Sequence, residues 1–356
     1  MQLPAHAETS QVRRPTVIGP FGLIADALTQ VQNLISRQLA DLRPPISSLL
    51  KHANIAGGKM IRPGLLLLSY HAVQECKSLQ QRTRADGEAI SVAAIMEMLH
   101  DATLLHDDVI DAGTKRRGLP TINHLWGNDS AVLLGDFLLS RVLKMSADLE
   151  PQIQKLIAAA AARTCEGELR QVAQRKNWRL TEDEYIDIIA DKTAALFGCC
   201  CRLGALLACP LGTGAENSRL EALSSFGHNL GIAFQIIDDL LDIVGNETAS
   251  GKTLGRDVAG NNVTLLLIHL LNIVAPAEKN SLISKLCTEA HRSQQPVVSS
   301  VELLAKLLNR YGSTDYVRNR AKQFVVRAVA SLDCLEDGPA KKALIDTGSY
   351  IAGRTD

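Results

Sequence analysis

The sequence predicts an all-α fold, and three observations carry that prediction. Of 356 residues, 46% are apolar but only 4% aromatic, and Ala and Leu dominate the apolar share, side chains that lose little rotamer freedom in a helix. Apolar residues recur at helical spacing in one stretch after another, and no stretch alternates in the manner of a strand. Nothing between the stretches reads as an interdomain linker, so residues 21–356 form a single helical bundle behind a flexible segment, 1–20.

In order along the chain, the periodic stretches are 22–42, 62–76, 87–111, 128–147, 151–175, 182–208, 216–244, 263–288, 299–311 and 314–352, about ten or more helices in all. Turn chemistry separates them. "GGKMIRPG" (57–64) precedes the second stretch and "GTKRRGLP" (113–120) ends the third. "CPLGTG" (209–214) and "GNETASGKTLGRD" (245–257) bracket the long stretch 216–244, and Gly338-Pro339 breaks the last. There is no fixed-period repeat.

Charge and cysteine usage exclude several classes. Lys and Arg (38) balance Asp and Glu (38), so no global field recruits nucleic acid. The run "VTLLLIHLLNIV" (263–274) falls short of the roughly 20 apolar residues a spanning helix needs. The first twenty residues lack the apolar core of a signal peptide and carry Glu8, which leads to the expectation of a cytoplasmic protein. Eight cysteines form no CxxC pair, and Cys199, Cys200 and Cys201 diverge by about 100° each on a helix. Small buried hydrophobes in a reducing compartment are expected.

Two segments carry the chemistry: "LLHDDVID" (104–111) and "QIIDDLLD" (235–242), each Asp-Asp-x-x-Asp at the end of a long helical pattern. Asp107 and Asp111 lie one turn apart on one face, with Asp108 to the side, and Asp238, Asp239 and Asp242 repeat the arrangement. Carboxylates packed this closely in apolar sequence repel one another unless a cation joins them. A solvated helix end explains one such match in isolation; two embedded in apolar runs point to Mg²⁺, which binds through one or two carboxylates plus substrate phosphates. Lys59 and Arg62 are neighbours at a helix start, where free N–H groups attract anions, and Arg116 and Arg117 follow the first cluster by a loop.

Taken in order, Lys59, Arg62, His100, Asp107-Asp108-x-x-Asp111, Arg116-Arg117, Lys192-Thr193, Phe234-Gln235 and Asp238-Asp239-x-x-Asp242 closely resemble the trans-isoprenyl diphosphate synthases, over about residues 30 to 350. The surroundings of "LLHDDVID" look most like the long-chain, octaprenyl or solanesyl type. The resemblance implies a single all-α domain around a central cavity, usually a homodimer, with peripheral membrane contact for product release. It implies a prenyltransferase in which the aspartates and three Mg²⁺ bind an allylic diphosphate, with Arg116, Lys192, Thr193, Gln235 and Lys252 around it. Lys59, Arg62, His100 and Arg117 would bind isopentenyl diphosphate. The allylic C–O bond ionises with Lys192 and the metal stabilising the leaving group, and the double bond of isopentenyl diphosphate attacks the cation. The tail then grows away from Asp107 along the same helix. Ala102, about 7.5 Å back along the axis, with Thr103 and Met98, would line its path. Because bulky aromatics at the Ala102 position accompany short products in the family, a product of about C30 or longer is expected; a short-chain synthase is the alternative.

One departure stands out. Where the family reads GKxxGxDLxxGKxTLP, this chain has "GKTLGRDVAGNNVTLLL", with Asn261 and Asn262 in place of a glycine and a lysine. That bears on allylic diphosphate affinity and leaves a weakly active or non-catalytic subunit of a heteromer as a further alternative. The P-loop-like "GNETASGKT" has five residues where a Walker motif has four, and follows a helix. Retained Lys59, Arg62 and His100 argue against a cyclase, which binds no second diphosphate.

Overall fold

The structure, a computed structural model, describes residues 19–40, 42–74, 79–209, 215–245, 254–292 and 298–354. Its helices are α1 (Ala25–Gln38), α2 (Ile46–Ala53), α3 (Ile61–Val73), α4 (Leu79–Ile110), α5 (Ile122–Trp126), α6 (Asn128–Ser146), α7 (Pro151–Ala173) and α8 (Glu182–Ile189). There follow α9 (Ala195–Ala208), α10 (Ala215–Val244), α11 (Arg256–Ala259), α12 (Leu265–Ile273), α13 (Pro276–Arg292), α14 (Val298–Arg310), α15 (Ser313–Ala330) and α16 (Pro339–Ala352). The fold is all-α, as the composition predicts.

At the centre lies α9, every residue of which is buried except Arg202. A helix apolar all round must be covered on all sides, and α3, α10, α7 and α4 do so. Close approach depends on glycine. A Cβ on Gly204 would sit 2.1 Å from the Leu66 carbonyl oxygen of α3, and one on Gly231 of α10 would sit 2.6 Å from the Ala194 Cα. The two long helices, α4 and α10, therefore flank one core and carry the aspartate clusters at their C-terminal ends.

Several elements differ from the periodic reading. The chain enters with a 3₁₀ helix, Gly19–Ile24, whose Phe21 is fully buried against Gly64, so the last two residues of the N-terminal segment belong to it. Helices α2 and α5 lie between the periodic stretches, and α4 begins at Leu79 rather than 87, through a polar first part that periodicity cannot register. The stretch 263–288 splits into α12 and α13, because Pro276 disfavours helical backbone in the residue before it. The loop 113–120 holds a minimal antiparallel hairpin, β1 (Lys115–Arg116) on β2 (Leu119–Pro120), turned by Arg117 and Gly118, both at positive φ (52° and 77°) as a two-residue hairpin requires.

The largest difference is inside 182–208. Thr181 opens α8 with a capping box, accepting from the Glu184 N–H while Glu184 accepts the Thr181 N–H at 2.8 Å. The helix is then interrupted by a π-helical turn, Ala190–Ala194, before α9. Cys199, Cys200, Cys201 and Cys209 are buried as expected, and desolvation pushes the Cys199 and Cys201 thiols up to about 12; Cys165 and Cys334 are exposed instead. Among the described residues no helix is long and apolar enough to cross a membrane.

Candidate active site

At the end of α4, Asp108 is 4% exposed and accepts from Arg116 Nε at 3.0 and 2.8 Å and from Nη2 at 2.8 Å, a bidentate pair that occupies both of its oxygens. The hairpin turn sends the next residue the other way. Arg117 donates through Nη1 to the Asn54 carbonyl at 3.1 Å and through Nη2 to Asp101 Oδ1 at 3.2 Å. Asp101, also buried, takes the Ala56 N–H at 2.7 Å. It thus ties the hairpin to the loop that carries Lys59. Half-buried His100 accepts the Thr103 hydroxyl on its backbone carbonyl at 2.8 Å, while Ala102 and Met98 are fully buried.

On α10, Asp239 accepts from Tyr185 Oη at 2.7 Å and from Gln235 Nε2 at 2.6 Å, and Gln235 Oε1 accepts from Thr193 Oγ1 at 2.7 Å. This chain joins the second cluster to α8 and to the π-turn. Asp242 accepts the Asp257 N–H at 3.0 Å, with Arg256 Nε 3.9 Å away. Asp238 lies 3.6 Å from Arg354 Nη2, a residue just beyond α16.

Cations fill the space around both clusters. The π-turn places Lys192 against α7, where a Cβ on Gly167 would lie 2.2 Å from its backbone nitrogen; its ammonium donates to Gln171 Oε1 and Glu168 Oε2, both at 2.5 Å. Arg62 is buried with its guanidinium 4.8 Å over the Phe197 ring, and its Nε has no hydrogen-bond partner among the described residues. Lys59 Nζ lies 5.8 Å from the Tyr350 ring centroid. Lys252 lies outside the described residues, as does most of the P-loop-like segment.

Burial raises the carboxylates, because desolvation disfavours the charged form. Asp107 is raised to about 6 against the pull of Lys192, Asp242 to about 7 with Asp257 adding repulsion, and Glu97 to about 7 with Asp101 adding repulsion against Arg62 and Arg117. Desolvation also holds Asp239 well above the ordinary range. Burial works against the Lys192 charge, but Asp107, Glu168 and Asp111 outweigh it and its pKa rises. Burial lowers the Arg62 pKa, while Arg116 is raised despite its burial, by Asp108 above all and more weakly by Asp107 and Asp238.

These groups fit magnesium. The donors are oxygens alone, the hard ligands that suit a magnesium ion. Among the described residues no three His, Cys, Asp or Glu side chains converge tightly enough to hold an ion unaided, which suits a cation that completes its octahedron with waters and phosphate oxygens. Of the aspartates in the two clusters, Asp108 is paired with Arg116, Asp111 accepts from Arg175 at 3.0 Å, Asp242 accepts the Asp257 N–H at 3.0 Å, and Asp239 accepts from Tyr185 and Gln235.

The sequence reading missed Glu97, Asp101, Glu168, Gln171, Arg175, Tyr185 and Arg354, and it took Asp257 only as a kept residue of the loop motif. For two of them a signal existed: Glu97 and Asp101 are four apart, and Asp101 stands seven before Asp108, one carboxylate stripe along an apolar helix.

A family model described as polyprenyl synthetase matches residues 43–304. The chain is 31% identical over 328 residues to a short chain isoprenyl diphosphate synthase of Methanothermobacter thermautotrophicus, covering 90% of this chain and 94% of that one. It is 33% identical over 326 residues to an all-trans-nonaprenyl-diphosphate synthase (geranyl-diphosphate specific) of Rhodobacter capsulatus, covering 91% and 93%. Among solved structures, a polyprenyl synthase of Caulobacter crescentus complexed with calcium and isoprenyl diphosphate superposes with a TM-score of 0.85 at 27% identity, covering 97% of this chain and 99% of that one.

Proposed function

Because the chain belongs to the polyprenyl synthetase family, we propose that it is a trans-polyprenyl diphosphate synthase of the long-chain kind, a prenyltransferase condensing isopentenyl diphosphate with an allylic diphosphate. The observation that carries this reading is that a run of hydrogen bonds through Arg175, Asn262 and Asp257 joins Asp111 of the first cluster to Asp242 of the second, so that both clusters line one site. Asp107, Asp108, Asp111, Asp238 and Asp242 would hold about three magnesium ions, which would supply charge neutralisation of the allylic diphosphate and polarisation of its C–O bond.

The chain's own residues do the rest. Asp108 aims Arg116 at the allylic diphosphate, and Glu168 and Gln171 hold Lys192 beside it, so both cations are oriented before charge develops on the leaving group. Lys59, Arg62, Arg117 and His100 bind isopentenyl diphosphate, Arg62 offering an Nε donor that no group among the described residues takes. Thr193, Gln235, Asp239 and Tyr185 fix α10 relative to the π-turn. The tail extends along α4 past Ala102 toward Met98, positions whose side chains are small or flexible, giving a product of about C30 or longer.

The active form is a cytoplasmic homodimer that meets the membrane only to release product. Support for the dimer comes from Leu133 (67%) and Leu143 (73%) on α6 and Leu169 (70%) on α7, exposed leucines that a partner chain would cover. The test is to incubate the pure chain with Mg²⁺, labelled isopentenyl diphosphate and farnesyl or geranylgeranyl diphosphate, then size the dephosphorylated products. Long prenols are expected. Products that stop at about C15–C20 would replace the long-chain assignment with the short-chain one, and absence of turnover would favour a subunit that needs a partner chain.

A further inference from the structure

The loop after α7 carries a cation to the first aspartate cluster. Arg175 Nη2 donates to Asp111 Oδ1 at 3.0 Å and to the Ile110 carbonyl at 3.4 Å, and Nε donates to Asn262 Oδ1 at 3.3 Å. The two loops are stitched together, for the Lys176 N–H donates to the Asn261 carbonyl at 3.0 Å. Asn261 takes φ +58°, a left-handed conformation that asparagine tolerates and that lets the next residue turn inward. Asn262 is 5% exposed and donates to Asp257 Oδ1 at 3.1 Å, and the Asp257 N–H reaches Asp242 Oδ2 at 3.0 Å. A continuous run of hydrogen bonds therefore links Asp111 to Asp242, and Arg175 is its one cation.

Guanidinium has five donors in a planar fork. In Arg175 the Nε and Nη2 donors are used, while Nη1 has no hydrogen bond to protein among the described residues, and the side chain is 27% exposed. We propose that Arg175 is a further diphosphate-binding residue, held by Asn262 and Asp111 so that Nη1 donates to the allylic diphosphate. It contributes the positive charge that position 262 does not. A cation paired with a single carboxylate oxygen remains attractive to an anion once that carboxylate is shared with a divalent ion, because the local charge then turns net positive. This inference rests on the reading of the site as one for allylic diphosphates.

The experiment measures binding of farnesyl thiodiphosphate, a slow-reacting allylic analogue, by calorimetry with excess Mg²⁺, for wild type, Arg175→Gln, Asn262→Lys and the double variant. Arg175→Gln should weaken binding by roughly ten- to hundredfold, the effect of one charge-assisted contact, and leave the KM for isopentenyl diphosphate and the thermal midpoint unchanged. Asn262→Lys in the Arg175→Gln background should restore affinity to within about threefold, since a lysine there supplies the same charge. Wild-type affinity in Arg175→Gln overturns the inference while leaving the synthase reading intact. Equal weakening of both substrates with a lowered midpoint overturns it too, assigning Arg175 to structure alone. A wild-type chain that does not bind the analogue overturns the synthase reading itself.

Discussion

Asp101 decides where Arg117 points, because one buried carboxylate receives both that guanidinium and the Ala56 N–H. The sequence could not announce it. Asp107, Asp108 and Asp111 were legible as carboxylates out of place in an apolar run, but Asp101, Glu168 and Gln171 acquire meaning only from partners on other elements, Arg117 and Lys192. Asp107→Ala and Asp238→Ala should each lower turnover by at least about a hundredfold in steady-state assays, since each removes an oxygen ligand acting on the breaking bond. Near-wild-type turnover in both would remove the metal assignment. Glu97 allows a stability prediction. Burial first, then Asp101, raises it from 4.5 to about 7, so between those values the folded chain keeps a proton that the unfolded chain has lost. Stability therefore falls as pH rises through that window and levels off above it. Glu97→Gln should flatten the decline, as measured by urea unfolding at about pH 5 and pH 7; equal declines in both proteins would show that Glu97 is ionised throughout.

Among the elements, long amphipathic or wholly apolar helices were readable because their periodicity is a property of the sequence itself. What escaped was whatever depends on neighbours or on a few residues: α2, α5, the hairpin, and the polar beginning of α4. Short elements give too few turns for a period to register. The helix α4 carries the remaining prediction at this scale. Ala102 is fully buried about one and a half turns before Asp107, on the helix that ends in the first aspartate cluster. Ala102→Tyr should shorten products to about C15–C20 while condensation continues, read by chromatography of the prenols. Unchanged long products would mean that the tail follows another wall.

Across the whole molecule, exposed Leu133 and Leu143 on α6 and Leu169 on α7 predict association, and Leu143→Glu with Leu133→Glu should shift the mass measured by light scattering from dimer to monomer. A wild-type monomer would refute the homodimer. The same surface was unreadable in sequence, where a core leucine and an interface leucine look alike. The π-turn has the widest reach. Lys192 faces α7 while Thr193, its neighbour, bonds to Gln235 on α10, and both reaches exist because one surplus residue is wound into an otherwise regular helix. That information is stored as a count, not as an identity. Half-buried Ala190 should accept a serine with little loss of turnover, whereas deleting a residue here would return the π-turn to regular helix, so that Lys192 and Thr193 no longer both reach their partners on α7 and α10, costing activity as surely as losing a metal ligand. A survey confined to substitutions would score this position as tolerant and never see that both reaches depend on it.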